Sequence, residues 1–218
     1  MALVTASTAK VRPFVAPARR GRSSDSGASG DQVERPFINS GMLGIMMLIA
    51  SEMMLFSGLI GSFLIFRFAA PFWPPPGLPR LPIVVTWVNT FVLLSSAITM
   101  TLALRAVHRS RQRLTRRYLL ATLALGVTFL AVQGSEWIRL VAHGLKLSSG
   151  AYGGTFYILI GCHGAHVTAG VAWLACVVWF AMNGRYNARN AHGIELCALY
   201  WYFVCAVWPV LFGLVYLM

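Results

Sequence analysis

The sequence predicts an all-α fold: a polytopic membrane bundle of five transmembrane helices, N-terminus cytoplasmic and C-terminus periplasmic. Three observations lead there. The 218 residues are 57% hydrophobic and only 11% charged, where soluble domains carry about 25% charged residues. Five apolar runs (Met42–Phe66, Ile83–Val107, Tyr118–Ala142, Phe156–Met182 and Ile194–Met218) each reach the length of about 20 residues that crosses a bilayer. Finally, the basic residues are sorted by side. The N-terminal side collects six Lys+Arg in the tail, six in Arg105–Arg117 and two in the loop after the fourth run, leaving Arg67, Arg80, Arg139 and Lys146 opposite. The positive-inside rule then sets the orientation.

Residues 1–38 form a polar, basic tail, rich in Ser, Ala, Gly and Arg and partly like a transit peptide. We expect a cytoplasmic tail that partners must hold, since this composition buries no core. The membrane domain is assigned to residues 39–218. After the first span, "FAAPFWPPPGLPRLP" holds six of the ten prolines. Proline removes a donor and fixes φ, so an extended crossing is expected, with Phe72 and Trp73 at interface depth. The loop "RAVHRSRQRLTRR" joins spans two and three. Its charge would suit nucleic acid in a soluble chain, but here it reads as an orientation signal and an anionic-lipid contact; no nucleic-acid partner is expected. "HGLKLSSGAYGG" and "NGRYNARNAHG" make the remaining connections. No extramembrane segment is long enough to be a catalytic domain.

Three of the six acids (Asp25, Asp31, Glu34) lie in the tail; Glu52, Glu136 and Glu195 lie in or beside apolar runs. Glu52 sits about 15 Å into span one at 1.5 Å per residue. An acid at that depth must pair, meet water or keep its proton. A proton or lipid-headgroup site and a neutral acid bonded to a neighbouring helix weigh about evenly. Glu136, in "LAVQGSEWIRL", has Gln133 and Arg139 three positions away on one face, so an interfacial Glu136–Arg139 pair is expected. Glu195 opens span five, where a carboxylate complements the helix dipole and capping is the expected role.

"GCHGAHVTAG" carries His163 and His166 on one face of span four. An HxxH pair needs a third or fourth ligand to hold a metal, and haem between helices would need a histidine inside a second span. Packed, hydrogen-bonded histidines are therefore expected, with no metal. Gly161, Ala165 and Ala169 form a small-residue stripe suited to close helix packing. The four cysteines lie in apolar runs without a CxxC pair and read as small hydrophobes. Pro209 is expected to kink span five. No catalytic motif is complete.

The ordered set "SEMMLFSGLIGSF", "FWPPPG", "VNTFVLLSS", "FLAVQGSEW", "YGGTFYILIGCHGAHVTAG" and "GIELCALYWYFVCAVWPVLF" resembles subunit III of haem–copper terminal oxidases, over about residues 42–218. The SE of span one and the WPPPG loop look closer to the cytochrome c oxidase branch than to the quinol oxidase branch. The resemblance implies a non-catalytic subunit that packs beside subunit I, with haem and copper in subunits I and II. It also implies structural phospholipids in a cleft between helices, and support of proton uptake and sustained turnover. Glu52 matches the family's buried helix carboxylate bordering that cleft, which implies a desolvated, protonated acid facing a lipid- or partner-lined groove; Glu136, His163, His166 and Glu195 fall on other motif positions.

Two departures stand out. The family's long form has seven helices and this chain lacks the first two, which are either absent or supplied by an extension of subunit I. Tyr202 and Cys205 stand where the family's last helix carries His and Asp, so no role of that pair carries over. With 16 Arg against two Lys, a bacterial chain from a GC-rich genome is expected, and with it the bacterial inner membrane; whether the complex joins a larger respiratory assembly is not read from the sequence. The alternatives are subunit III of a quinol oxidase, the related accessory protein of nitric oxide reductases and, from another class, an independent transporter. A transporter should show internal repeats and broken helices, which this sequence lacks apart from Pro209.

Overall fold

A computed structural model describes residues 40–73, 75, 82–187 and 190–217. The expected tail (1–38) and most of the proline-rich crossing lie outside the described residues. The described chain is five helices: α1 (Ser40–Ala69), α2 (Ile83–His108), α3 (Gln112–Ala142), α4 (Gly150–Met182) and α5 (His192–Phe212), the last continued by a π-helical turn (Gly213–Leu217). All five are long and apolar enough to cross a membrane. No strand occurs among the described residues beyond an isolated Asn187–Asn190 bridge. In hydrocarbon every backbone group must be satisfied within the span, which is why apolar runs of this length fold as helices.

The helices outrun the predicted spans. α3 begins at Gln112 rather than Tyr118, and α4 at Gly150 rather than Phe156. The basic "loop" is consequently mostly helix, reversed in the three residues Arg109–Arg111. Ser110 takes a left-handed φ of 56°, and its N–H and that of Arg111 bond back to Val107 O and Ala106 O at 3.0 and 2.9 Å. That satisfies the carbonyls left over at the end of α2. At the other end of α3, Gly144 and Gly150 supply φ of +91° and +73°, values open to glycine at little cost.

α2 packs on α3 and α5, α4 packs on α3 and α5, and α1 lies against α4 and α5. Two tryptophans one heptad apart on α5 tie the four-helix ring together. Trp201 is fully buried and donates Nε1–H to Ser96 Oγ of α2 at 3.0 Å. A Cβ on Gly126 of α3 would meet its ring at 2.7 Å, and one on Gly170 of α4 at 3.1 Å. Trp208 donates to Thr90 Oγ1 of α2 at 2.9 Å, takes the edge of Phe129 of α3 at 5.0 Å and stacks on His163 of α4 at 5.0 Å. Smaller polar ties accompany them: Thr99–Thr122 at 2.8 Å, Asn89 Nδ2 to Phe129 O at 3.2 Å, and Thr101–Tyr202 at 2.8 Å. Tyr202 thus reaches α2, and Cys205 lies 3.8 Å from Ser96 Oγ. The helix runs on through Pro209, which has no N–H to offer Cys205 O, and widens into the π-helical turn that begins at Gly213.

α1 differs from the others. Its buried residues are Ile45, Phe56 and Phe63, while Met46, Met47, Met53, Met54, Ile65 and Phe68 stand exposed. Beyond its end, Trp73 turns back to meet Phe63 at 5.7 Å and Tyr152 at 5.0 Å, edge to face, with the Arg67 guanidinium over its ring. Phe72 is exposed. Of the two expected interfacial aromatics, Phe72 alone points away from the bundle.

Candidate functional site

Glu52 and His166 meet between α1 and α4. His166 Nε2 lies 2.7 Å from Glu52 Oε2, and His166 Nδ1 lies 2.7 Å from the carbonyl of Cys162, one turn earlier on α4. A carbonyl only accepts, so Nδ1 carries a hydrogen and donates it. Two bare lone pairs would repel at 2.7 Å, so a second hydrogen lies between Nε2 and Oε2. The pair is then either a neutral acid donating to a neutral imidazole or a carboxylate accepting from an imidazolium. Both descriptions are net neutral, which relieves the cost of an isolated charge at this depth. The side chains keep 19% and 16% of their surface, so one flank opens to whatever lies beside α1. Phe56 closes the core side, its ring 5.2 Å from that of His166, and Tyr200 donates its hydroxyl to His166 O at 3.3 Å.

His163, three residues away, turns inward instead. It is 1% exposed, stacked on Trp208 and met edge-on by Phe56 and Phe129. Neither of its ring nitrogens has a hydrogen-bond partner among the described residues. Of the two histidines expected to be packed and hydrogen-bonded, His166 is both and His163 is packed only. The described residues contain no group of three His, Cys, Asp or Glu placed to hold a metal.

Glu136 is buried, and Arg139 Nη1 donates to it at 3.0 Å from a side chain that is 67% exposed. Gln133 turns away, its amide donating to Tyr216 Oη at 3.3 Å. Glu195 lies in the first turn of α5 but makes no capping hydrogen bond. Its carboxylate reaches His108 Nε2 at the end of α2 at 3.3 Å and His192 Nδ1 at 3.7 Å. Its first-turn position is the one expected for an acid at the helix N-terminus, and the carboxylate also ties two helix ends, because α2 and α5 are neighbours. Ala165 and Ala169 are exposed and Gly161 is half-exposed. The small-residue stripe faces out of this chain, with only Trp137 near Gly161, at 3.7 Å from its ideal Cβ.

Sequence reasoning singled out both members of the Glu52–His166 pair without joining them, because they are 114 positions apart and helix order does not state which faces meet. It missed Tyr216, Thr90 and Ser96. Their signal was weak: small hydroxyl residues in an apolar run usually bond to their own helix, as Thr90 also does to Thr86 O.

Fold and site together define a polytopic helical membrane protein with a net-neutral, proton-sharing acid–imidazole pair in its span region. Residues 21–218 match the family model described as cytochrome c oxidase subunit III. The chain is 35% identical over 178 residues to a cytochrome c oxidase subunit 3 of Synechocystis sp., covering 81% of this chain and 75% of that one. It is 31% identical to the subunit 3 of Oryctolagus cuniculus, covering 83% and 71%. It is 29% identical to a probable quinol oxidase subunit 3 of Staphylococcus saprophyticus, covering 82% and 89%. The chain belongs to the cytochrome c oxidase subunit III family, a component of haem–copper oxidases.

Proposed function

We propose that the chain is the supporting, non-catalytic subunit III of a proton-pumping cytochrome c oxidase in a bacterial inner membrane. It packs on subunit I, with subunit II in the same complex, while haem and copper reside in those two subunits. Its own part is to hold phospholipid against α1 and to sustain proton uptake during turnover. The observation that carries this reading is the Glu52–His166 pair: a mid-helix acid and base sharing a proton, with one flank open beside the exposed apolar face of α1. That face suits acyl chains or a partner helix, and the outward stripe of Gly161, Ala165 and Ala169 suits close approach of a partner's backbone. Glu136–Arg139 and Glu195–His108 are assigned to bracing helix ends. The basic end of the bundle and the tail (1–38) face the cytoplasm, by the charge sorting of the sequence.

The substitution Glu52→Gln tests it. The amide that replaces the carboxyl still donates to His166 Nε2, so the complex is expected to assemble with an unchanged haem spectrum, but the shared proton can no longer move. Activity is expected to start near the wild-type rate and to decay several-fold faster during continuous turnover. Loss of the haem spectrum in a complex that still contains all its subunits would contradict the supporting role. The quinol oxidase relative keeps one second reading open, in which the electron donor is quinol.

A further inference from the structure

The turn between α2 and α3 concentrates positive charge; Glu195 reaches His108 at its α2 end but pairs with none of its arginines. Six arginines fall between Arg105 and Arg117 with no Asp or Glu among them, and none of the six makes an ion pair among the described residues. Two grooves open on this turn. One, of about 310 Å³, is lined by Arg105, Arg109 and Arg111 together with Leu102, Leu114 and Tyr118. The other, of about 490 Å³, lies along Ser110–Leu114, on the first turn of α3, where the N–H groups of Gln112 and Arg113 have no backbone acceptor among the described residues and favour an anion. Arg111 and Leu114 line both.

The order of these residues along the helices matters. The arginines crowd the turn, while Leu102 and Tyr118 lie seven residues inward from Arg109 and Arg111, about 10 Å deeper at 1.5 Å per residue. Anion-binding groups at the surface above an apolar wall match a phosphate ester carrying an acyl chain. A free phosphate would leave the wall unused, and the described residues at the turn offer no aromatic track for nucleic acid.

We propose that this turn is a binding site for an anionic phospholipid, its phosphate on Arg109 and Arg111 and its acyl chain along Leu102, Leu114 and Tyr118. The site is separate from the flank of Glu52 and does not depend on what binds there. Guanidinium–phosphate contacts are charge-assisted and bidentate, so neutralising two of them costs about tenfold or more in affinity.

The test uses the intact complex purified through this chain, stripped of lipid in a neutral detergent and titrated with phosphatidylglycerol or phosphatidylcholine of the same acyl chains. Bound lipids are counted by native mass spectrometry. R109Q/R111Q is compared with R117Q/R185Q, which removes the same charge from arginines lining neither groove. The expected result is one phosphatidylglycerol bound about tenfold or more weakly by R109Q/R111Q and changed less than about threefold by R117Q/R185Q. Phosphatidylcholine should show no variant-sensitive binding, and inorganic phosphate should not displace the lipid. Equal loss in both variants, no loss in R109Q/R111Q, equal variant-sensitive binding of phosphatidylcholine, or displacement by phosphate alone would overturn the proposal.

Discussion

Glu52 and His166 constrain each other through a single hydrogen. With Nδ1 committed to Cys162 O at 2.7 Å, Nε2 has one partner, the Glu52 carboxyl. Truncating either side chain leaves the other desolvated and unpaired, which costs about 1–3 kcal/mol. Glu52→Ala and His166→Ala should each lower the thermal unfolding temperature of the detergent-solubilised complex. The double substitution should cost less than the sum of the two, since the second removal orphans nothing. Strictly additive losses in that cycle would mean that the two residues do not share a bond. His163 should respond differently. Its contribution is ring packing against Trp208, so His163→Phe should retain stability to within about 1.5 kcal/mol, as volume-conserving core replacements do, whereas His166→Phe should not. Thermal unfolding of the two variants side by side decides it; equal destabilisation would contradict the assignment.

The helices were legible in the sequence because apolar run length is read directly: each of the five predicted spans falls on one helix, the last with its π-helical extension, although α3 and α4 begin six residues before the apolar run does. What was not legible was which faces meet. Trp201 and Trp208 were visible as part of an aromatic-rich run, but nothing local to α5 announces that Ser96, Thr90, Gly126 and Gly170 on three other helices receive them. Those partners are fixed by the reversals that bring α2, α3 and α4 round α5, and a one-residue rotation of α5 would exchange them all. The outward stripe on α4 shows the same limit, since the motif for close packing does not say whose helix it packs. Element packing also yields a measurable consequence. Gly126→Ala places a methyl 2.7 Å from a fully buried indole ring. Overpacking of this kind costs about 1–3 kcal/mol, so this variant should lower the unfolding temperature while Gly134→Ala, where the added methyl meets nothing within 4 Å, should not. Equal effects would contradict the described α3–α5 packing.

At the scale of the whole molecule, much of the apolar surface is unspent. α1 keeps a narrow buried seam and exposes most of its length, and α2 adds Val84, Trp87, Val88, Phe91 and Ile98 to the exposed apolar side chains. Exposed apolar surface of this extent suits acyl chains and the helices of partner subunits. A charge on the outward stripe separates this chain's own fold from its assembly. Ala165→Asp should leave the isolated bundle folded, because Ala165 is exposed, yet reduce recovery of the complex several-fold, because a carboxylate at a dry helix contact is desolvated. Unchanged recovery would remove the stripe from the partner interface.

The most direct measurement is purification in mild detergent through a tag on this chain. A reduced-minus-oxidised spectrum, subunit mass spectrometry and oxygen uptake then follow on the same sample. A haem-containing subunit I that co-purifies and consumes oxygen from reduced cytochrome c is the expected result; a colourless chain emerging alone, able to move protons in liposomes without partners, would contradict it.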